Sequence, residues 1–198
     1  LPTRLLVPRS RYAEAVEALQ MSYGGFASRW GDFDDPDSVM GPVISKKQQD
    51  RVMSYIELGQ KEGARLIAGG KTCPEKGTGY FIEPTCFVDV TNDMRIAQEE
   101  IFGPVLVVIP FEDDEDAIRI ANESSYGLGG AVISADRERA MRVSRAIRAG
   151  SISVNDGMSI TGDLPFGGVK GSGVVREWGR EGIEEILDSK AIALGVSA

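Results

Sequence analysis

The chain has 198 residues, 42% of them hydrophobic, and 22 Lys and Arg stand against 30 Asp and Glu for a formal charge of −8. That length supports one good core, with a single domain as the default, while the absence of any basic stripe or bilayer-length apolar run argues against nucleic-acid and membrane partners. Histidine is absent and Cys73 and Cys86 lack C-x-x-C spacing, which removes a His/Cys metal site and a His-based triad from this chain and suits a reducing cytoplasm better than a disulfide framework.

The opening LPTRLLVPRS has no long apolar stretch of the signal-peptide kind, and Arg4–Val7 within it reads as a strand. Ser10 is placed to cap a helix whose apolar positions Tyr12, Ala15, Val16 and Leu19 follow a 3.6-residue period. A loop rich in Gly and Asp is expected from about Gly24 to Pro42. Ser45-Lys46-Lys47-Gln48 fits the capping box S-x-x-Q, opening a helix with Val52, Tyr55, Ile56 and Gly59 on one face. Ala64–Ala68 is the next strand, closed by Gly69-Gly70. Cys73 precedes Pro74 in a polar loop and reads as incidental.

Tyr80–Val90 is expected to be extended, with Cys86 as a small buried apolar residue rather than a nucleophile. Asn92 or Asp93 is placed to cap a short helical run ending at Glu99 and Glu100. Val105–Ile109 is continuously apolar, as in a strand covered on both faces. Asp113 or Asp114 begins a helix through Asn122 with acidic residues in its first turn. Ala131–Ile133 is a strand. Asp136 caps a helix over Arg137–Ala149, with Ala140, Val143, Ser144 and Ile147 inward and Gly150 as its C-terminal cap. Ser151–Val154 is a strand; a Gly-rich loop, a helix around Ile183–Leu187 and a last strand, Ala191–Val196, complete the chain.

This alternation predicts an α/β fold, a three-layer arrangement of a mainly parallel sheet with helices on both faces, in which ligands gather at the carboxyl ends of strands. Residues 1–188 form the main domain. Residues 189–198 end in a strand with no helix after it, placed to pair at an edge of another subunit and so to support a homo-oligomer.

Two segments stand out chemically. In AQEEIFGPV, residues 97–105, two adjacent carboxylates sit at a helix C-terminus, where the dipole disfavours negative charge, ahead of a Gly-Pro stop. Such a carboxylate is either solvated or kept for a partner. In PFGGVKGSG, residues 165–173, four glycines occur in nine residues, yet neither G-x-G-x-x-G nor G-x-x-x-x-G-K-[ST] is present. By spacing alone this is a connector rather than a phosphate cradle.

AQEEIFGPV, PFGGVKGSG and the following Arg176-Glu177-Trp178-Gly179 together resemble the aldehyde dehydrogenase superfamily. Gly41-Pro42-Val43, Gly63-Ala64-Arg65, Gly79–Thr85 (GYFIEPT), Ala121–Leu128 (ANESSYGL) and Ser153-Val154-Asn155 match in the same order over nearly the whole chain. The ordered set is specific where each motif alone is weak. The resemblance implies the C-terminal catalytic domain of an NAD- or NADP-dependent enzyme that oxidises an aldehyde to a carboxylate through a cysteine thioester. By the same alignment the nucleophilic cysteine falls two residues ahead of Leu1, with the general-base glutamate and the dinucleotide-binding domain further upstream, so that no catalytic residue lies in this chain. The chain alone is then expected to be inactive and to self-associate through surfaces the cofactor domain would cover.

Carried over residue by residue, the resemblance makes Glu100 the carboxylate that accepts hydrogen bonds from the nicotinamide-ribose hydroxyls and Phe102 the aromatic beside the nicotinamide. Gln48 and Arg51 match positions that approach the cofactor ribose, and Phe166 matches a residue lining the substrate tunnel. Each has a structural alternative: a solvated helix end for Glu100, core packing for Phe102 and Phe166, the capping box for Gln48. Glu99 reads as a solvated neighbour or a helix-surface ion pair, and Lys170 as structural. Val175 stands where the family usually has Gly, so either the turn differs or that site needs no positive φ. A non-catalytic oligomerisation module and a coenzyme-A-dependent acylating branch of the superfamily remain open at this stage.

Overall fold

The structure, a computed structural model, describes residues 2–26, 29–31, 34–157 and 161–195. Contacts divide the chain into two compact units, one of Pro2–Ser124 and one that begins at Ser125.

The first unit holds a four-stranded sheet of order β1-β4-β3-β2, formed by β1 (Arg4–Pro8), β2 (Arg65–Ala68), β3 (Thr85–Val88) and β4 (Val105–Phe111). Strand β4 pairs in parallel with both β1 and β3, and only β2 runs antiparallel, on β3. The continuous apolar run of β4 has the reason the sequence suggests: both faces are covered. Val105, Val107 and Ile109 pack with Val52, Tyr55 and Ile56 of helix α2 (Lys46–Lys61), Ile96 of α3 (Arg95–Gln98) and Ile120 of α4 (Asp114–Asn122). Val108, alternating to the other face, packs with Val7, Cys86, Val88 and Val16 of α1 (Tyr12–Phe26). Helices therefore flank a mainly parallel sheet, as expected.

Side-chain caps account for where α2 and α4 start. Ser45 Oγ accepts from the Gln48 N–H at 3.2 Å and Asp113 Oδ1 from the Asp116 N–H at 2.9 Å. Each satisfies one donor that the first helical turn leaves open. Ser10 does not act as a cap. It lies inside a 3-10 turn, Arg9–Arg11, that leads directly into α1, which begins at Tyr12 and runs through Gly24 to Phe26. Of Tyr80–Val90, only Thr85–Val88 pairs as a strand; Tyr80 and Ile82 make isolated bridges with Val43 and Thr72. Pro84, with no N–H to give, separates the two patterns.

Cys86 is fully buried, and burial pushes its thiol up to about 11; it is the inert core cysteine expected. Cys73, read as incidental, is buried too, packed with Trp30 and Phe81 in a small satellite cluster. Its polar neighbours in sequence concealed this.

Thr85 is a buried hydroxyl in the middle of the sheet, and both its capacities are used. Its Oγ1 donates to the Glu83 carbonyl at 2.8 Å and accepts from the Gly70 N–H at 3.0 Å. Thr85→Val keeps the shape and strands both partners, and is expected to lower unfolding stability by about 1–2 kcal/mol. Thr85→Ser should retain most of that. Urea denaturation of the three proteins checks the order; a valine variant as stable as the parent refutes it.

In the unit that begins at Ser125, β5 (Gly129–Val132) and β6 (Ser151–Val154) pair in parallel through α5 (Arg137–Ala146), capped by Asp136 on the Arg139 N–H at 3.0 Å. Helix α5 ends at Ala146 with Ile147 as its C-cap, so Gly150 is not its cap; Gly150 has no positive φ and serves instead a close backbone approach. Helix α6 (Gly179–Glu184) begins earlier than the sequence suggests. Residues 191–195 form no strand within the single chain, and the last position of the expected strand, Val196, lies outside the described residues.

Candidate functional site

Helix α3 is a single turn, and its surroundings set up the two carboxylates that follow it. Neither Asn92 nor Asp93 caps it; the N-cap is Met94, without a side-chain cap. Asn92 instead accepts from Arg4 at 2.8 Å and donates to Glu123 at 3.1 Å. The open donors at the start of α3 are met from another helix end, by Glu62, whose carboxylate accepts from the N–H groups of Arg95 and Ile96 at 3.1 and 3.5 Å.

The two glutamates diverge at the other end. Glu99 folds back over its own helix. Its carboxylate accepts from Arg95 Nε and Nη2 at 2.7 and 3.1 Å and from the Tyr55 hydroxyl at 2.5 Å. Those partners hold it down to about 2 from an ordinary 4.5. The Glu99 network therefore stabilises the fold above pH 4.5, and this contribution is lost as pH falls through the folded value near 2. With a side chain 39% exposed, screening limits it to about 0.5–1 kcal/mol. Glu99→Gln should thus be less stable than the parent near neutral pH, with the gap closing under strong acid. Urea curves at both extremes test this; a gap independent of pH would refute it.

Glu100 is exposed, and its carboxylate has no hydrogen-bond or ion-pair partner among the described residues. What is engaged is the backbone around it. Arg51 Nη2 donates to the Glu100 carbonyl. Gln48 Nε2 donates to the carbonyls of Ile101 and Phe102 at 3.0 and 2.9 Å. The Gly103 carbonyl accepts from the Val105 N–H and that of Pro104 from the Thr85 N–H, both at 2.8 Å. All five carbonyls of a segment without regular structure thus have donors.

Two features lock the turn's shape. Ile101 is buried in the main core. Gly103 lies so close to α2 that a Cβ there would come within 2.4 Å of Val52 Cγ2, so no larger residue fits without displacement. Between them, Phe102 has φ +59° and is 75% exposed. An aromatic in the left-handed region is uncommon and strained. Core packing, the structural alternative for Phe102, does not occur. Gln48 makes only half of a capping box: Ser45 takes the Gln48 N–H, but the Gln48 side chain reaches across to the turn instead of back to Ser45.

Of the residues singled out in the sequence, Gln48, Arg51, Glu100 and Phe102 come together here. Tyr55 was legible only as a core position. Its hydroxyl holds Glu99 while its ring lies under the Arg51 guanidinium, 4.9 Å from ring centre to Cζ. The i,i+4 spacing of Arg51 and Tyr55 was the available signal.

Phe166 lies in the other unit, on the Gly-rich loop. Its backbone pairs with Glu177 in both directions at 2.7 Å. That bridge sets its ring 5.5 Å from the ring of Trp178, at 34°, and both line a cavity of about 390 Å³ with Ile152, Val154, Leu164 and Ser153. Trp178, with φ +59°, was missed as a site residue, because the chain reversal that brings it onto Phe166 has no short-range signature. Lys170 has φ +57° within a 3-10 turn, in keeping with a structural role. Val175 is not in the left-handed region; the positive φ falls on Gly173, at +107°. The Val-for-Gly departure therefore carries no backbone strain, and Val175 is simply exposed.

Among the described residues no group of three or more His, Cys, Asp or Glu is arranged to hold a metal ion, and no helix is long and apolar enough to cross a membrane.

Comparison with known proteins gives a consistent result. The family model described as aldehyde dehydrogenase family matches residues 1–192. A putative aldehyde dehydrogenase of Staphylococcus haemolyticus is 49% identical over 192 residues, which is 96% of this chain and 40% of that protein. The chain thus spans about 40% of the length of the curated relatives it matches. Among solved structures, a Mycobacterium tuberculosis aldehyde dehydrogenase complexed with NAD+ superposes with TM-score 0.88 at 48% identity, over 92% of this chain and 37% of that one. Aldehyde dehydrogenase C of Pseudomonas syringae, complexed with NAD+ and octanal, gives 0.91 at 42%, over 96% and 39%.

Proposed function

The chain belongs to the aldehyde dehydrogenase family, and from that premise we propose that it supplies one side of the active site of an NAD- or NADP-dependent enzyme that oxidises an aldehyde to a carboxylic acid. The observation that carries the proposal is the division of labour between Glu99 and Glu100. One is consumed by Arg95 and Tyr55; the other is an exposed carboxylate, without a partner among the described residues, on a turn whose carbonyls all have donors. An ionised carboxylate only accepts hydrogen bonds, and two neighbouring ribose hydroxyls donate them, so the donor and acceptor chemistry fits.

The nicotinamide cofactor would supply the hydride acceptor. Glu100 would hold its ribose diol and the exposed ring of Phe102 would lie against the nicotinamide, so that the chain's contribution is orientation. Phe166 and Trp178 would form an apolar wall for the aldehyde. A cysteine thiolate would attack the carbonyl, and water activated by a glutamate would hydrolyse the resulting thioester; in this reading neither group is supplied by this chain. The residues from 189 onward would pair with a second copy of the protein, and the two free, buried cysteines suit a reducing, cytoplasmic setting.

The isolated 198-residue chain is therefore expected to show no turnover with NAD+ and a simple aldehyde, while the longer protein containing it shows NADH formation at 340 nm, the absorbance of the reduced nicotinamide. Turnover above background by the isolated chain would overturn the assignment of catalytic groups to positions outside it.

A further inference from the structure

We propose that Gln48 and Arg51 act on the cofactor end of the site as positioning residues, through the backbone of the Glu100–Phe102 turn, rather than as direct donors to the ligand. This rests on the reading of Glu100 as a ribose ligand, and deepens it.

Three consecutive carbonyls, those of residues 100, 101 and 102, face helix α2, and all three accept from two side chains three residues apart on it. Residues at i and i+3 lie on one helical face, so α2 presents a matched row of donors to a row of acceptors. The assignment of the Gln48 amide follows from its partners: both are carbonyls, and an oxygen in place of Nε2 would face two acceptors. A primary amide has two N–H donors, and both are used here. Only Oε1 remains free for anything else. Arg51 has one Nη2 hydrogen bond to the Glu100 carbonyl and a longer one, at 3.3 Å, to the Tyr55 hydroxyl, with its guanidinium lying over the Tyr55 ring. Tyr55 in turn is buried and tied to Glu99.

The row is needed because of what it restrains. Phe102 sits in a left-handed conformation that a free chain rarely populates, and such strain persists only when the surroundings over-determine it. Ile101 and Gly103 anchor the turn on the core side; Gln48 and Arg51 anchor it on the α2 side. Without the α2 donors, residue 102 relaxes toward negative φ, and both the ring of Phe102 and the adjacent carboxylate are re-aimed.

Gln48→Glu is the discriminating variant. It keeps an acceptor oxygen, which a direct contact through Oε1 would need, but loses both donors and sets a carboxylate against two carbonyls. Gln48→Met and Arg51→Met are companions in case the added charge impairs folding. Backbone 15N relaxation of the isolated chain reads the turn without any ligand, and NAD+ affinity of the longer protein reads the site. Expected are increased fast motion at residues 100–103 with Val52 and Ile56 unchanged, and NAD+ binding weakened on the order of tenfold in Gln48→Glu, as for the loss of one to two net hydrogen bonds. Unchanged relaxation at 100–103 in all three variants overturns the inference. So does a loosened turn with unchanged NAD+ affinity where Glu100→Gln still weakens binding; in that case the reading of Glu100 stands alone. If Glu100→Gln also leaves affinity unchanged, the reading of Glu100 fails and the inference falls with it.

Discussion

Gly150→Ala is expected to lower the stability of the unit that begins at Ser125 by more than about 3 kcal/mol, and to leave the Pro2–Ser124 unit folded. Gly150 enters strand β6, where its N–H donates to the Gly127 carbonyl at 3.0 Å. A Cβ there would lie 1.6 Å from the Gly167 carbonyl oxygen and 2.7 Å from its carbon. The obstacle is main chain, so no rotamer relieves it. Nor can the 167 segment retreat freely: a Cβ on Gly167 would itself lie 2.2 Å from the Val175 carbonyl. Three backbone segments are stacked with no room for side chains between them, which is why the loop is glycine-rich. Gly157→Ala, with nothing near its Cβ and no positive φ, is the control and should be close to neutral. Urea or thermal unfolding of the three proteins in a Trp30→Phe background, followed by the fluorescence of Trp178, measures the difference. A Gly150 variant as stable as the Gly157 variant would mean that residues 150 and 167 are not in contact.

That position also marks where sequence reasoning stopped short. Gly150 follows a helical run, and a C-terminal cap is the local reading of such a glycine. The actual requirement comes from residue 167, too far along the chain for any local pattern to carry it. The same division runs through the fold. Helix α2 and strand β4 were legible because amphipathic period and continuous apolarity are local properties, and Ser45, Asp113 and Asp136 were legible as caps because the hydroxyl or carboxylate bonds a donor three residues on. Ser10 failed because it lies inside the 3-10 turn that leads into α1, and Asn92 failed because Arg4, 88 residues away, takes its side chain. At the candidate site, the family resemblance pointed to Glu100 and Phe102, and electrostatics alone raised the question of which glutamate is spare. The answer depends on Tyr55 and Arg95 converging on Glu99, a tertiary fact. Gln48 is the clearest case: its spacing from Ser45 announces a capping box, whereas its amide serves a turn 53 residues further on.

In the longer protein, Glu100→Gln is expected to lower kcat/KM for NAD+-dependent aldehyde oxidation by roughly 10- to 100-fold, while leaving stability almost unchanged. A carboxylate accepts from both hydroxyls of a diol, whereas a carboxamide accepts through one oxygen and turns its donors toward the other hydroxyl. One charge-assisted hydrogen bond is lost outright and the remaining one loses its charge, and hydrogen bonds to charged groups are worth about 1.5–3 kcal/mol each. Stability should be spared because the Glu100 side chain bonds to nothing among the described residues; its carbonyl, the group Arg51 holds, survives the substitution. Glu99→Gln reverses the pattern. It removes the negative charge and one of the two oxygens that accept from Arg95 and the Tyr55 hydroxyl, so stability near neutral pH falls slightly, and the effect on NAD+ affinity is small because the turn's own carbonyl contacts remain. Steady-state kinetics and NAD+ affinity for both variants, with thermal midpoints alongside, separate the two residues. Equal losses of affinity in both would mean that the pair acts as one negative patch. A loss confined to Glu99→Gln would mean that Glu100 is the solvated neighbour, and the proposed orientation of the ribose by this turn would have to be abandoned.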